Sequence, residues 1–385
     1  MERARLPFCA PFSAERIQLL GRYAHQLQTD PRWSGSAPVL ALAFWLRKAA
    51  VRRMAADFGA RAHPQSIATA RGIVFHLPPQ NVDTLFLYSW AVAFACGNIN
   101  VVRLPEHMSP TIEGLLDPLM SLLGAGQFED VFITYPRDAA NISERLSAIS
   151  DCRLVWGGDE KVNLFQRYPL RPGGKSLMFG DRYSHAVLSA AAVAKLDGVG
   201  LERLAKQIHD DVRLFDQRAC SSPHTVHVLG MRDGADAVYR LMEAVDALAR
   251  QSPSTDPSHG VAKFAASCAI AAAGAGVSAR RLSNEMTVVE LAPAEQRGLS
   301  IGGGFLSVRA VESVAGIAET LTERDQTLSW FGLEPELFEE LARQAAVRGV
   351  ARLVPIGSAL KFDLLWDGYD LLAELTRTVR AQRGI

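Results

Sequence analysis

The stretch GIVFHLPPQNVDTLFLYSWAVAFACGNINVVRL, residues 72–104, decides the fold class of this chain. It begins with the short apolar run GIVFHL (72–77) and ends with a second one, NINVVRL (98–104). Between them lies LFLYSWAVAFACG (85–97), which is too short to cross a bilayer and is typical of a buried helix. A strand, a helix and another strand in this order predict a crossover unit and therefore a parallel sheet.

The same alternation continues along most of the chain. Strand-like runs occur at 130–135, 153–156, 225–229, 286–291, 305–311 and 352–356, and helical periodicity occurs at 13–28, 38–57, 110–123, 198–214, 334–348 and from about 368. With 385 residues, 48% of them hydrophobic, the chain can build two cores. We therefore predict an α/β fold with mostly parallel sheets, divided into domains 1–208 and 209–385.

Composition excludes several classes of protein. Lys plus Arg and Asp plus Glu both number 41, so nothing indicates binding to nucleic acid or to a membrane surface. The five cysteines are widely spaced and form no CxxC pair, which argues against a disulfide framework or a structural zinc site. The N-terminus has no apolar segment typical of a secretory signal. These features together predict a reducing, cytoplasmic location and no bound metal.

One cysteine, Cys220, lies in an unusual setting. The segment FDQRACSSPHTV (215–226) places it among small and polar residues, between a predicted helix and a predicted strand. Loops held by rigid elements on either side often carry catalytic residues, and a thiolate attacks acyl carbons well. Cys96 lies inside the apolar run and is predicted to be a core residue. Cys220 is therefore the candidate nucleophile.

A formal dinucleotide motif elsewhere does not fit its surroundings. GAGVSA (274–279) matches GxGxxA, but a helix-like segment precedes it instead of a strand. A phosphate cradle needs a strand before the motif and a helix starting within it, so that helix amides meet the phosphates. We interpret GAGVSA as a helix end followed by a turn.

Four blocks resemble the aldehyde dehydrogenase superfamily, in the order in which that superfamily has them. They are HLPPQN (76–81), ACGNINVVRLPE (95–106), VWGGDEKV (155–162) and FDQRACSSP (215–223). Within the superfamily, FHLPPQNVDT, WGGDEKV, CSSP and the segment GVARLVPIGSALKFDLLWDGYDLLAEL (349–375) look like the LuxC type of acyl-CoA and fatty-acyl reductases. That resemblance covers the chain from about residue 38 onward. The N-terminal region looks shorter than in the bioluminescence enzymes of this type.

The resemblance implies an aldehyde dehydrogenase-like fold, with a nicotinamide-binding domain at 1–208 and a catalytic domain at 209–385. The site residues that it implies are Cys220 as nucleophile, Asn81 as oxyanion donor, Arg103 and Glu106 at the cofactor ribose, and Gly157 and Gly158 at the pyrophosphate. It implies NADPH as cofactor, with NADH as the alternative. The implied substrate is an acyl-CoA or acyl-carrier-protein thioester, and a homo-oligomer or a partner enzyme of acyl reduction is compatible with it.

Two departures from the superfamily pattern bear on the reaction. SLMFGDRYSHAVL (176–188) aligns with the segment whose Glu activates the hydrolytic water, and Met178 falls at that position. Because Met cannot accept a proton, the thioacyl-enzyme is expected to react with hydride or a thiol and not with water. Asp216 stands where the superfamily has Asn, and the sequence alone does not explain it.

Alternatives remain open at this point. The chain could be an ordinary aldehyde dehydrogenase, or an acyltransferase or acyl-holding protein that uses Cys220 without nicotinamide. His224 or His227 could lower the pKa of the cysteine, although His227 fits a strand better. His209, Asp210 and Asp211 are consecutive on a helix, point in different directions and are interpreted as surface residues rather than metal ligands.

Overall fold

The computed structural model describes residues 10–382, apart from 62, 80, 127, 254, 255, 257, 293, 294 and 296. The helices are, in chain order, α1 (Ala14–Thr29), α2 (Ala37–Leu46), α3 (Lys48–Ala60), α4 (Leu85–Ala95), α5 (Pro110–Ala125), α6 (Ala140–Ile149), α7 (Asp159–Arg167), α8 (Ala190–Ala194), α9 (Gly198–Arg213), α10 (Met231–Ala249), α11 (Ser258–Ala272), α12 (Val314–Ala318), α13 (Pro335–Val347) and α14 (Leu371–Glu374). The strands are β1 (Ser66–Ala70), β2 (Ile73–Leu77), β3 (Ile99–Arg103), β4 (Val131–Ile133), β5 (Cys152–Trp156), β6 (Lys175–Phe179), β7 (Tyr183–Ser189), β8 (Pro223–Leu229), β9 (Gly276–Arg281), β10 (Thr287–Leu291), β11 (Phe305–Val311), β12 (Asp325–Phe331), β13 (Arg352–Pro355), β14 (Leu365–Trp366), β15 (Tyr369–Asp370) and β16 (Thr376–Arg380).

The chain forms two compact units whose limits differ from the predicted domains. The first unit comprises Met1–Gly180 with Leu364–Ile385, and the second comprises Asp181–Asp363. The predicted limit after residue 208 lies too late for this division, because β7 pairs with β8 and β12 inside the second sheet. The end of the chain belongs to the first unit because β16 pairs with β1. Pairing between strands far apart in sequence leaves no local signal at either limit.

The first unit is built on a parallel sheet with the strand order β4-β3-β2-β5-β6. Its central strand β2 is buried along its whole length, as expected where helices cover both faces of a sheet. The chain leaves β2 towards β3 and β4, then crosses back to β5 and β6. Strands β2 and β5 are therefore neighbours whose onward connections diverge. In doubly wound sheets, ligands bind in the crevice at the carboxyl ends of such a strand pair.

The second unit contains a sheet with the order β13-β12-β7-β8-β11-β10-β9, in which β9 is antiparallel to β10 and the other pairs are parallel. Apolar clusters cover both faces. Val226, Val228 and Leu306 belong to one cluster, and Val187 and Leu328 belong to another. Because successive residues of a strand point to opposite faces, β7 and β8 supply residues to both clusters. The amino ends of these central strands carry the loops that hold Cys220.

Most predicted elements are confirmed, and two are wrong. The helix predicted at 38–57 is two helices, α2 and α3, because Arg47 is extended (φ −55°, ψ 144°). The final helix predicted from about 368 is reduced to the short α14, after which β16 begins. The sequence of β16, TRTVR, is rich in β-branched residues that favour a strand once β1 offers a partner. GAGVSA (274–279) is only partly a turn: α11 ends at Ala272, a short turn follows, and β9 begins at Gly276, so the second half of the motif is a strand. The motif still lacks the strand–turn–helix order of a phosphate cradle.

Candidate active site

The segment between α9 and β8 is a strained turn that carries Cys220. Asp216 and Gln217 both have positive φ angles, +49° and +61°. Asn and Asp occupy this left-handed region more readily than most side chains, because their short polar groups interact with the local backbone. The backbone conformation therefore accommodates Asp at position 216, where the superfamily has Asn.

Gln217 holds this turn against the rest of the second unit. Its side chain is 1% exposed, and its Nε2 donates to the carbonyls of Pro223 at 2.7 Å and Phe305 at 2.9 Å. Its Oε1 accepts from the backbone N–H groups of Gly304 and Phe305, both at 3.1 Å. The amide group thus makes four hydrogen bonds to backbone on both sides of the turn. Sequence reasoning missed this role, because all four partners are backbone atoms and most are remote in sequence.

A run of three glycines supports the turn from the other side. Gly302, Gly303 and Gly304 all have positive φ angles, between +59° and +84°. The N–H of Gly303 donates to the carbonyl of Asp216 at 2.9 Å. The carbonyl of Gly303 accepts from the buried Nζ of Lys263 at 2.6 Å. A segment in which three consecutive residues have positive φ favours glycine at each of them. The run GGG is therefore the sequence feature from which this unusual turn could have been predicted.

Cys220 itself is half-buried, and its carbonyl accepts from Ser184 Oγ at 2.7 Å. Cys96 and Cys152 are buried, and burial raises the pKa of both thiols, that of Cys152 to about 12. A thiol that stays protonated is a poor nucleophile. Cys268 is exposed on α11, and Cys9 lies outside the described residues. The prediction that Cys96 is a core residue is confirmed.

A chain of polar groups runs from the amino end of β12 across β7 to the middle of β8. Arg297 pairs with Asp325 at 2.5 Å, and Asp325 accepts from His185 Nε2 at 2.8 Å. His185 Nδ1 is then the acceptor for His227 Nε2, 3.0 Å away. Although burial raises the pKa of Asp325, the hydrogen bond from His185 and nearby positive charge lower it overall. Each imidazole donates through Nε2, and His185 accepts through Nδ1, so both rings are neutral in this arrangement. Asp325, His185 and His227 thus form one hydrogen-bonded chain across three strands.

The two histidines beside the turn do not supply positive charge at neutral pH. His224 and His227 both lie on β8, as predicted for His227. Burial, with a smaller contribution from His185, lowers the pKa of His224 to about 4 and holds that of His227 well below its usual value. A cysteine pKa is lowered by an imidazolium, whereas a neutral ring has no such effect. A Cys–His ion pair with Cys220 is therefore disfavoured for both.

The low pKa of His224 predicts a loss of stability in acid. The unfolded chain binds a proton here near pH 6.5, whereas the folded chain binds it only near pH 4. The contribution of His224 to the free energy of unfolding is therefore fully present above about pH 6.5. It is lost progressively as the pH drops from about 6.5 towards about 4. In the parent, His224 Nε2 lies 3.1 Å from Ser300 Oγ, and glutamine keeps an amide group for this contact without a titratable ring. We expect the free energy of unfolding of His224→Gln to fall by roughly 3 kcal/mol less than that of the parent over this window. Urea unfolding at several pH values measures this, with the exposed His107→Gln as control, and parallel curves for parent and His224→Gln would contradict it.

The other candidate residues lie at the carboxyl ends of the first sheet. Asn81 is exposed in the turn between β2 and α4, and Glu106 is exposed just beyond β3. Arg103 ends β3, where its guanidinium lies 4.3 Å from the centre of the Tyr135 ring and donates to the Tyr135 carbonyl at 3.3 Å. Gly157 and Gly158 follow β5 and precede α7, the strand–turn–helix order that GAGVSA lacks. These five residues thus share one edge of the first unit.

The structure corrects the interpretation of one acidic residue. Asp211, interpreted as a surface residue, is 2% exposed. It accepts from the N–H groups of Gly357 at 2.7 Å and Ala359 at 3.1 Å. It therefore holds the loop after β13 to the end of α9. His209 and Asp210 are both half-buried. Among the described residues no three His, Cys, Asp or Glu side chains form a metal-binding group.

Met178 lies on β6, at the end of the first sheet. It is half-buried, and its backbone N–H donates to the hydroxyl of Tyr369 at 3.4 Å. The next residue, Phe179, stacks on Trp156 with ring centres 3.7 Å apart. A thioether offers no proton acceptor of the strength of a carboxylate.

Comparisons with solved structures identify the fold. PnpE from Pseudomonas sp. WBC-3 has a TM-score of 0.65 at 15% identity, over 97% of this chain and 86% of that chain. A 1-pyrroline-5-carboxylate dehydrogenase from Thermus with bound NAD has a TM-score of 0.64 at 14% identity, over 95% of this chain and 80% of that chain. A putative aldehyde dehydrogenase from Burkholderia cenocepacia has a TM-score of 0.63 at 15% identity, over 95% of this chain and 84% of that chain. The predicted aldehyde dehydrogenase-like α/β fold is confirmed.

Sequence comparison identifies the family. No curated protein matches the chain. In the described residues, no helix is long and apolar enough to span a membrane. The family model for acyl-CoA reductase (LuxC) matches residues 51–378. Because this match covers far more than half of the sequence, the chain belongs to the LuxC acyl-CoA reductase family.

Proposed function

We propose that this chain is a nicotinamide-dependent acyl-thioester reductase with Cys220 as its nucleophile. Family membership supports a reductase, and the anchored turn supports the choice of cysteine. Gln217 and the glycine run hold the turn rigidly, while Cys220 stays half-buried and Cys96 and Cys152 are sealed in the cores. A nucleophile must be both fixed and accessible, and this combination is the observation that carries the proposal.

The first step is an acyl transfer to the cysteine. The thiolate of Cys220 forms a bond with the carbonyl carbon of an acyl-CoA or acyl-carrier-protein thioester, and the carrier thiolate leaves. Negative charge develops on the carbonyl oxygen, where hydrogen-bond donors lower the barrier. We assign this role to the backbone N–H of Cys220 and the side-chain amide of Asn81. The product is a thioacyl-enzyme that retains the acyl group on the sulfur.

The first unit fits a dinucleotide at the switch point between β2 and β5. Gly157 has a φ of +151° and Gly158 precedes α7, so backbone can approach a pyrophosphate here. Arg103 is the last residue of β3 and Glu106 follows shortly after it, and both would meet the ribose. Arg103 favours a 2′-phosphate and hence NADPH, whereas Glu106 favours the free hydroxyls of NADH. A bound reduced nicotinamide would supply the hydride that converts the thioacyl group to the aldehyde level.

The proposal is tested by a panel of acyl-CoA thioesters assayed with NADPH and NADH. We expect nucleotide oxidation at 340 nm and one trapped aldehyde per nucleotide. Free acid from aldehyde and oxidised nucleotide, without added thiol, would indicate an ordinary aldehyde dehydrogenase. Acyl transfer to thiols without nucleotide binding would indicate an acyltransferase. Either outcome would overturn the reductase assignment.

Asn81→Ala should lower turnover far more than nucleotide affinity. Loss of one oxyanion donor costs about 2.7–4 kcal/mol, or roughly 10²–10³ in kcat. Steady-state kinetics with a saturating acyl-CoA, together with nucleotide titration, separate the two effects. The control is Asn141→Ala, at an exposed position on α6, which should behave like the parent. If Asn81→Ala keeps kcat within about twofold, well short of that loss, Asn81 is only a turn residue.

A further inference from the structure

Lys161, the third residue of α7, joins the ends of the two strands that form the switch point. Its Nζ donates to the carbonyl of Trp156, at the end of β5, at 2.8 Å. It also donates to the carbonyls of Leu77 and Pro78, at the end of β2, at 3.2 and 3.1 Å. The ammonium has three N–H donors, and each has a carbonyl partner. One side chain thus connects the turn that leads to Asn81 with the turn that contains Gly157.

Gly157 and Lys161 fit each other sterically. A Cβ added to Gly157 would lie 2.8 Å from Lys161 Cδ, closer than ordinary carbon contacts allow. The aliphatic part of the lysine therefore passes over the bare backbone of the glycine on its way to the three carbonyls. Position 157 therefore favours glycine both for its positive φ and for the space that the Lys161 side chain occupies.

The electrostatic surroundings make a purely structural lysine costly. Burial, followed by the charges of Arg103 and Arg137, lowers the pKa of Lys161 to about 7. An apolar residue of similar length would fill the same space without desolvating an ammonium.

We propose that Lys161 is a positioning residue that sets the oxyanion turn and the nucleotide turn together. The inference rests on the proposed function, because it gives those two turns their roles. The ammonium holds the Pro78 carbonyl, and with it the segment entering Asn81, to the end of β5. Loss of the three hydrogen bonds frees both turns at once, so two activities that need no common ligand decline together.

The experiment measures two separate quantities in Lys161→Met, which keeps the length of the side chain but has no donor. One is the rate at which acyl-CoA acylates Cys220 without nucleotide, by quenched-flow mass spectrometry. The other is NADPH affinity without acyl-CoA, by fluorescence titration. We expect both to fall, acylation by about tenfold to 10²-fold, the loss that a small misplacement causes. Asn81→Ala should lower only acylation, and Arg103→Ala only NADPH affinity.

A double variant separates positioning from a general loss of structure. If Lys161 acts through Asn81, Asn81→Ala with Lys161→Met should acylate about as slowly as Asn81→Ala alone, because the two losses are not additive. Lys161→Arg, which keeps a cation with donors, should recover part of both quantities. The exposed Lys195→Met should match the parent. If Lys161→Met does not fold, Lys161→Gln, with two N–H donors, takes its place in the same comparisons.

Three outcomes overturn the inference. Unchanged acylation and unchanged NADPH affinity in Lys161→Met would show that the three hydrogen bonds position nothing. A loss of NADPH affinity alone would make Lys161 a nucleotide-binding cation, and additive losses in the double variant would remove the link to Asn81. In all three cases the parent still acylates and binds NADPH, so the proposed function stands. If the parent does neither, the proposed function fails and the inference falls with it.

Discussion

Cys220→Ala should abolish aldehyde formation while leaving the fold and nucleotide affinity unchanged. Without the sulfur there is no thioacyl-enzyme, and the candidate nucleotide residues lie in the other compact unit. With acyl-CoA and no reductant, intact-mass measurement of the parent should show one acyl group, and peptide mapping should place it on Cys220. Thermal unfolding and NADPH titration of the variant check that only the chemistry is lost.

The exposed Cys268 provides the matched control. It lies on α11 of the same unit, and Cys268→Ala should retain full activity and the same acyl adduct. An adduct that maps to Cys268, or a Cys220→Ala variant with parental activity, would contradict the assignment of the nucleophile.

We expect the thioacyl-enzyme to hydrolyse slowly, because the sequence resemblance aligns Met178 with the superfamily's water-activating Glu. General-base assistance is worth roughly 10²–10⁴-fold, so water should lose to a bound thiol by about that factor. Given aldehyde and oxidised nucleotide, the enzyme should produce little free acid and should need coenzyme A for sustained oxidation. Met178→Glu should raise the rate of thioacyl-enzyme hydrolysis by up to roughly 10²–10⁴-fold. Met178→Gln, of the same shape but without a base, is its control.

Fast acid production by the parent without added thiol would contradict this prediction. Another residue would then serve as base, and the ordinary aldehyde dehydrogenase reaction would be favoured. Equal hydrolysis rates in Met178→Glu and Met178→Gln would show instead that position 178 does not face the acyl group. Chromatographic measurement of acid and acyl-CoA in the same samples distinguishes the two results.

Much of the fold followed from local patterns, because burial of β2 and α4 on every side requires continuous apolar runs that can be read directly. The placement of Cys220 between a helix and a strand was equally local, since α9 is amphipathic and β8 is apolar. The failures occurred where a partner remote in sequence decides the conformation. The segment 376–380 is a strand because β1 pairs with it, although the residues just before it continue a helical pattern.

The candidate site divides in the same way. The residues that we propose for the chemistry can be read from the sequence: a cysteine in a polar loop, an asparagine after two prolines, glycines after a strand, and a methionine at the position of the expected base. The contacts that hold these residues in place become visible only in the folded chain. Gln217 is hydrogen-bonded to the backbone at positions 304 and 305, and Lys161 is hydrogen-bonded to backbone carbonyls at the ends of two separate strands. A hydrogen bond to a remote backbone atom depends on position in space and not on the partner's side chain, so it leaves no pattern in the sequence.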